Sequence, residues 1–337
     1  MRRWVSFLLV PLMVLGAVAC STDVDDVAED PPFGRTDDST PVDRAPLEVV
    51  CDQARPAPAG QTREWLTVDG VERSYLLDVP DTYDGTLAVP LVLDLHGSGS
   101  NAEQQVLYSG LPAAAAEVGA ILATLDGTGT PQGYGLSPES PDVAVVSQLL
   151  DDLEARFCID GRRIGSTGIS NGSATSSILA CALDGRLASI GMVAATVGPF
   201  TCEEDVRVSV IAFHGTADQT VPYDGGEVSS DSGGSGNGLG VPPAEEGIAA
   251  WATQDGCEPE PEEEQVAADV RRWGFTGCDA GTAVDFYRIE GIGHVWPGSP
   301  VPFELLEDRL GPNSDSVDAA ALIVDFIATH PRRSAGE

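Results

Sequence analysis

Apolar positions along the chain fall into short continuous runs that alternate with stretches of helical spacing. Trp65 to Val68, the pair Asp69-Gly70 and Val71 to Val79 predict a β-hairpin. Asp-Gly suits a two-residue turn because both central positions take positive φ. Pro90 to Leu95 and Ile121 to Leu125 are unbroken apolar runs, the pattern of strands covered on both faces. Helical spacing is expected around Ala113 to Val118. It is clearest over Asp142 to Phe157, where Val143, Val146, Leu149, Leu150, Leu153 and Phe157 recur every three or four residues. Arg163 to Thr167, Ala188 to Ala194, Val208 to Phe213 and Val284 to Ile289 predict further strands. Ser173 to Leu183, Glu245 to Thr253 and Val317 to Thr329 predict further helices. The alternation argues for an α/β fold: a mostly parallel central sheet, an N-terminal antiparallel hairpin and helices on both faces.

Some segments stand outside this alternation. Residues 21–46 are rich in Asp, Pro, Ser and Thr and poor in large apolar residues, so they cannot offset the entropy of ordering. They read as an acidic tether, and order is expected to begin between Leu47 and Arg63. Before the tether, Arg2 and Arg3 precede an apolar run from Trp4 to Val18. At about 15 residues it is short for a membrane span, which needs roughly 20, and it reads as an export signal. The run ends Leu15-Gly16-Ala17-Val18-Ala19-Cys20, which resembles a bacterial lipobox. That resemblance implies lipidation at Cys20 and attachment to the membrane; ordinary cleavage near Ala19 is the alternative. The expected division is therefore signal peptide over 1–19, tether over 20–46 and one globular domain over 47–332. Within that domain, residues 224–243 read as a mobile Gly/Ser-rich loop and residues 258–265 as an acidic loop.

Charge and cysteines narrow the setting. Asp plus Glu number 53 against 18 Lys plus Arg, a formal net charge of −35. Such a surface repels phosphate backbones, which argues against a nucleic-acid partner. Cys51, Cys158, Cys181, Cys202, Cys257 and Cys278 form an even set after the signal, as expected in an oxidising compartment outside the cell. They are not grouped with histidines and form no Cys-x-x-Cys pair, so no metal site is expected. Cys257 with Cys278 is the favoured pair, and Cys158 with Cys181 and Cys51 with Cys202 complete the set.

The candidate chemistry centres on Gly168-Ile169-Ser170-Asn171-Gly172, which follows an expected strand and opens an expected helix. That context turns a common Gly-x-Ser-x-Gly string into a candidate nucleophile elbow. A serine hydroxyl needs a base to take its proton, and the chain has four histidines. His96 precedes the serine, His214 ends a strand and His330 lies at the ragged C-terminus. His294 sits in a loop just after the Val284–Ile289 strand, downstream of a suitable acid, in the order serine, acid, histidine. Asp218 follows the Val208–Phe213 strand and is the expected acid, with Asp224 its rival. A histidine base implies that activity falls as the imidazole takes up a proton. The expected oxyanion donors are the N–H of Asn171 and one from the His96–Ser100 loop, Ser98 first and Gly97 next.

Taken together, His96-Gly97, the Gly168–Gly172 elbow, His214-Gly215-Thr216-Ala217-Asp218 and Gly293-His294-Val295-Trp296-Pro297-Gly298 resemble the secreted esterase family of poly(3-hydroxybutyrate) depolymerases, which includes feruloyl and acetylxylan esterases. The resemblance spans roughly residues 62–330. It implies a single-domain α/β-hydrolase fold, carboxylic-ester hydrolysis and no cofactor; no obligate protein partner is evident in the sequence. It makes Ser170, Asp218 and His294 nucleophile, acid and base. The chain departs from the pattern at Ser173, where glycine is common, and in the Gly127–Gly135 loop, which lacks a tryptophan often found there. Trp296 is expected either to line the substrate pocket or to pack under the histidine loop. A serine peptidase on the same fold and an inactive surface binding module are the competing readings.

Overall fold

In a sheet covered on both faces, each strand must present apolar side chains to two layers at once. The computed structural model describes residues 49–199, 202–229, 240–302 and 307–333. The expected signal peptide, Cys20 and the tether lie outside the described residues. The strands are β1 (Gly60–Val68), β2 (Val71–Val79), β3 (Val89–Leu95), β4 (Ile121–Leu125), β5 (Ile159–Ile169), β6 (Ser189–Val193), β7 (Ser209–Gly215), β8 (Gly226–Glu227), β9 (Gly240–Val241), β10 (Glu262–Ala267), β11 (Val270–Phe275) and β12 (Val284–Ile289). The helices are α1 (Ala102–Ser109), α2 (Leu111–Glu117), α3 (Pro141–Arg156), α4 (Asn171–Ala182), α5 (Ala244–Gln254), α6 (Glu307–Leu310) and α7 (Ala319–Thr329).

Ten strands form one sheet in the order β1-β2-β4-β3-β5-β6-β7-β12-β11-β10. The six from β4 to β12 run parallel, and an antiparallel pair flanks them at each end. This is the α/β-hydrolase arrangement. Alternation along β3 shows the two layers directly: Leu91, Leu93 and Leu95 join a core with Leu149 and Leu153 of α3, Leu179 of α4 and Trp251 of α5. Val92 points the other way, into a second core with Leu111 of α2 and Ile323 and Ile327 of α7.

One expectation about a loop changes. The acidic stretch 258–265 is not all loop, because Glu262 onward forms the edge strand β10. Glu264 stands opposite Arg272 of β11 and pairs with it, so a run that reads as solvated acid is half of a charge-matched ribbon. Of the Gly/Ser-rich stretch, residues 230–239 lie outside the described residues, and its flanks pair as β8 and β9.

The disulfides are Cys51–Cys158, Cys181–Cys202 and Cys257–Cys278. The last is as expected; the pairs Cys158–Cys181 and Cys51–Cys202 are not formed. β5 climbs about 36 Å after Cys158 at roughly 3.3 Å per residue, while α4 returns only about 18 Å at 1.5 Å per residue. Cys181 therefore stops well short of Cys158 and meets Cys202 in the loop after β6. Cys51 reaches Cys158 because its segment runs beside residues 86–88, with Cys51 N–H donating to Thr86 O at 3.1 Å and Ala88 N–H to Val49 O at 2.8 Å.

Candidate active site

The parallel strands β3, β5, β7 and β12 end on one edge of the sheet, so the loops that follow them leave from the same side. Ser170 lies directly after β5, Asp218 after β7 and His294 after β12. In α/β sheets this carboxyl edge is where ligand sites gather.

Ser170 has φ 58° and ψ −117°, a backbone state that costs a non-glycine residue energy and persists only under constraint. The constraint is visible. Ser170 N–H donates to Val193 O at 2.9 Å, and Ser170 O accepts from Ala174 N–H at 3.0 Å as α4 begins. A Cβ on Gly168 or Gly172 would run into the Leu95 carbonyl oxygen, so both glycines are needed for strand and helix to close around the serine. Ser173, where glycine is common in the resembling family, is fully buried and donates its hydroxyl to Ala195 O at 2.8 Å.

The His96–Ser100 loop packs against this turn. A Cβ built on Gly97 would lie 3.6 Å from that of Ser170. Asn171 opens α4, so its N–H is among those with no acceptor inside the helix. Its side chain accepts from Tyr134 N–H at 2.8 Å and donates to Tyr134 O at 3.1 Å. The Gly127–Gly135 loop is thereby tied to the serine turn. It is tied to the Ser98 loop as well, through Gly99 N–H to Gln132 O at 2.7 Å. Buried His96 donates from Nδ1 to Gly97 O at 2.8 Å and accepts at Nε2 from Gly127 N–H at 2.9 Å. Burial pushes its imidazole pKa down, which suits a ring that must accept a hydrogen bond. Behind the loop, Asp142 pairs with buried Arg73 and accepts from Gly135 N–H at 2.7 Å.

Asp218 and His294 are brought together. His294 Nδ1 donates to Asp218 Oδ2 at 2.8 Å, and both residues are buried. Asp218 Oδ1 accepts from the N–H groups of Thr220 at 2.8 Å and Val221 at 2.9 Å. Burial alone would raise the Asp218 pKa, but the facing His294 and His214 rings and their hydrogen bonds outweigh it and hold the carboxyl well below the usual range. The histidine loop is fixed by His294 N–H to Leu310 O at 2.6 Å and Gly293 N–H to Pro312 O at 2.8 Å. Asp224, the rival acid, is exposed on the turn beyond Tyr223, and no hydrogen bond joins it to His294 among the described residues.

The Trp296 side chain is fully buried in the core beneath the histidine loop, and its backbone N–H donates to Tyr108 Oη at 3.0 Å. Tyr108 comes from α1, a helix the apolar pattern misses. The signal for it is polar: Asn101 caps the helix by accepting from Gln104 N–H at 2.9 Å. No group of metal-ligating side chains occurs among the described residues.

Comparison with known proteins adds the following. No protein-family model matches the chain. NocK of Nocardia uniformis subsp. tsuyamanensis, which carries an esterase name, is 27% identical over 311 residues, covering 86% of each chain. Feruloyl esterase B of Piromyces equi is 26% identical over 233 residues, 66% of this chain and 42% of that protein. Among solved structures, an acetyl xylan esterase from Aspergillus awamori superposes with a TM-score of 0.53 at 11% identity, covering 73% of this chain and 98% of the other; that likeness is one of fold.

Proposed function

We propose that this chain, which belongs to the α/β-hydrolase esterase family, is an extracellular serine esterase that works through an acyl-enzyme on Ser170. The observation that carries the reading is the Asp218–His294 hydrogen bond of 2.8 Å, made between loops that leave the sheet edge where Ser170 stands at φ 58°.

The mechanism follows from the groups available. With Nδ1–H given to Asp218, the neutral His294 ring has Nε2 free of a proton and able to take one from Ser170 Oγ. Oγ then bonds to the ester carbonyl carbon, and the carbonyl oxygen takes up negative charge. The N–H groups of Asn171 and of Ser98 or Gly97 receive that charge, a contribution worth ~10²–10³ in rate per donor. As the C–O bond breaks, His294 returns the proton to the leaving alcohol. A water molecule, deprotonated by the same ring, releases the acid and frees Ser170. Asp218 stays ionised and stabilises the imidazolium formed in each step.

Feruloyl esters are the proposed substrates from the names of the relatives, with acetyl esters of polysaccharides and polyhydroxybutyrate-type oligomers from the motif resemblance. Three disulfides support a site outside the cell. The Leu15–Cys20 stretch supports a lipid anchor on the membrane. The test is hydrolysis of short p-nitrophenyl esters by the purified protein, followed by a panel of feruloyl esters, acetylated xylan and hydroxybutyrate oligomers. Ester cleavage lost in Ser170→Ala is the expected result. Cleavage retained in Ser170→Ala overturns the nucleophile assignment, and cleavage of peptides but not esters favours a peptidase.

A further inference from the structure

His214 has no part in the chemistry described above, yet it lies against the acid. It is the second-last residue of β7, buried to 2% exposure. Its Nε2 is 3.0 Å from Val221 O. A carbonyl oxygen only accepts, so Nε2 carries the proton and Nδ1 is the acceptor. Nδ1 faces the Thr196 hydroxyl at 3.2 Å, which can supply the matching O–H. In the neutral ring the Val221 carbonyl thus sets the tautomer and the Thr196 hydroxyl adapts to it. The same Nε2 lies 3.5 Å from Asp218 Oδ2, the oxygen that holds His294.

Val221 closes the circuit. Its C=O receives the His214 proton and its N–H donates to Asp218 Oδ1. One imidazole therefore pins the turn that presents the carboxylate, and the N–H it gives to Val221 O also faces Asp218 Oδ2 at 3.5 Å. The groups around it come from three loops. Asp218 and Tyr223 lie on its own loop, with the Tyr223 ring edge-on at 5.6 Å. Thr196 lies on the loop after β6, and His294 on the loop after β12. Tyr223 is in turn held by Glu245 of α5 at 2.8 Å and overlaid by Arg288 of β12.

We propose that His214 is a positioning residue for the acid: it holds the 215–221 turn closed and shares the charge on Asp218 Oδ2, so that His294 is oriented without being made too basic. This rests on the reading of Asp218 and His294 as acid and base. Taking away the His214 N–H leaves His294 as the sole ring N–H facing Oδ2. More negative charge then bears on His294, its protonated form gains, and the acidic limb of the pH–rate profile moves to higher pH. The loosened turn also misplaces the base, and small displacements of this kind cost up to ~10²-fold.

The experiment compares His214→Leu, His214→Gln and Ser170→Ala in the full chain, on a p-nitrophenyl ester across pH, with active sites counted by a fluorophosphonate. The Gln side chain can place an N–H close to where Nε2–H stands; Leu cannot. The expected result for His214→Leu is kcat per titrated site reduced about 10- to 100-fold, little change in KM and an acidic limb shifted upward. His214→Gln should recover most of both. Unchanged kcat per site and an unmoved limb in His214→Leu overturn the proposal, as does a Gln variant no better than Leu. Where His214→Leu does not fold, Thr196→Val removes the hydroxyl on Nδ1 and should move both readouts the same way to a smaller extent; no movement overturns the proposal. If Ser170→Ala keeps its activity, the triad reading fails instead.

Discussion

Asp218 and Asp94 are both buried, and their surroundings move their protons in opposite directions. Asp218 faces two imidazoles and two backbone N–H groups, and its carboxyl is held ionised far below the usual range. Asp94, at full burial on β3, accepts from Gln105 Nε2 at 2.8 Å and the Thr124 hydroxyl at 3.1 Å. Burial is its largest influence and pushes it up to about 7, against an unfolded value of about 3.9. Between these values the folded chain keeps a proton that the unfolded chain has released, so this group's contribution to stability falls as pH rises and is lowest above about 7. Asp94→Asn keeps an acceptor and a donor in place and has no charge to bury. Its Tm advantage over the parent should therefore grow as pH is raised from about 5 to about 8. Melting curves taken in parallel across that range check this; a constant offset would contradict it.

At the scale of elements, the two kinds of clamp differ in reach. Cys51–Cys158 closes 107 residues and Cys257–Cys278 closes 21. In the chain-entropy picture these restrict the unfolded state by about 5 and about 3 kcal/mol. Removing the first pair by serine substitution should lower Tm more than removing the second, as differential scanning calorimetry would show; the reverse order would mean that the β10–β11 ribbon matters more than loop length. The elements also show why some of the fold is legible and some is not. β3, β4 and β7 are short apolar runs because both faces are covered, and that pattern needs no tertiary knowledge. β10 carries Glu262, Glu263 and Glu264, all exposed, and becomes a strand through the partners on β11. α1 is anchored by a cap and by Tyr108 contacts more than by an apolar stripe. Disulfide pairing depended on how far a strand and a helix travel per residue, which spacing along the chain does not reveal.

For the whole molecule, a net charge of −35 sets like charges against one another over the surface, which opposes compactness at low ionic strength. Raising salt shortens the screening length from ~10 Å at 0.1 M to ~3 Å at 1 M. Tm should rise over that range at neutral pH, and a fall would show that the ion pairs of Arg63, Arg156 and Arg272 outweigh the repulsion. The candidate site was legible as residue types in order after successive strands, since parallel topology gathers such loops on one edge. What remained hidden was the support behind it: the Asn171–Tyr134 clasp and the neutral His96 ring depend on loops far apart in sequence, and the His214 contact with Asp218 depends on how the turn between them folds back. The central claim concerns one hydroxyl. Treating the full chain with a fluorophosphonate and mapping the adduct by peptide mass spectrometry tests it directly. Stoichiometric labelling on Ser170 is expected, with ester hydrolysis lost in step and labelling sharply slowed in His294→Ala. Hydrolysis that survives full labelling, or an adduct on another residue, would contradict it.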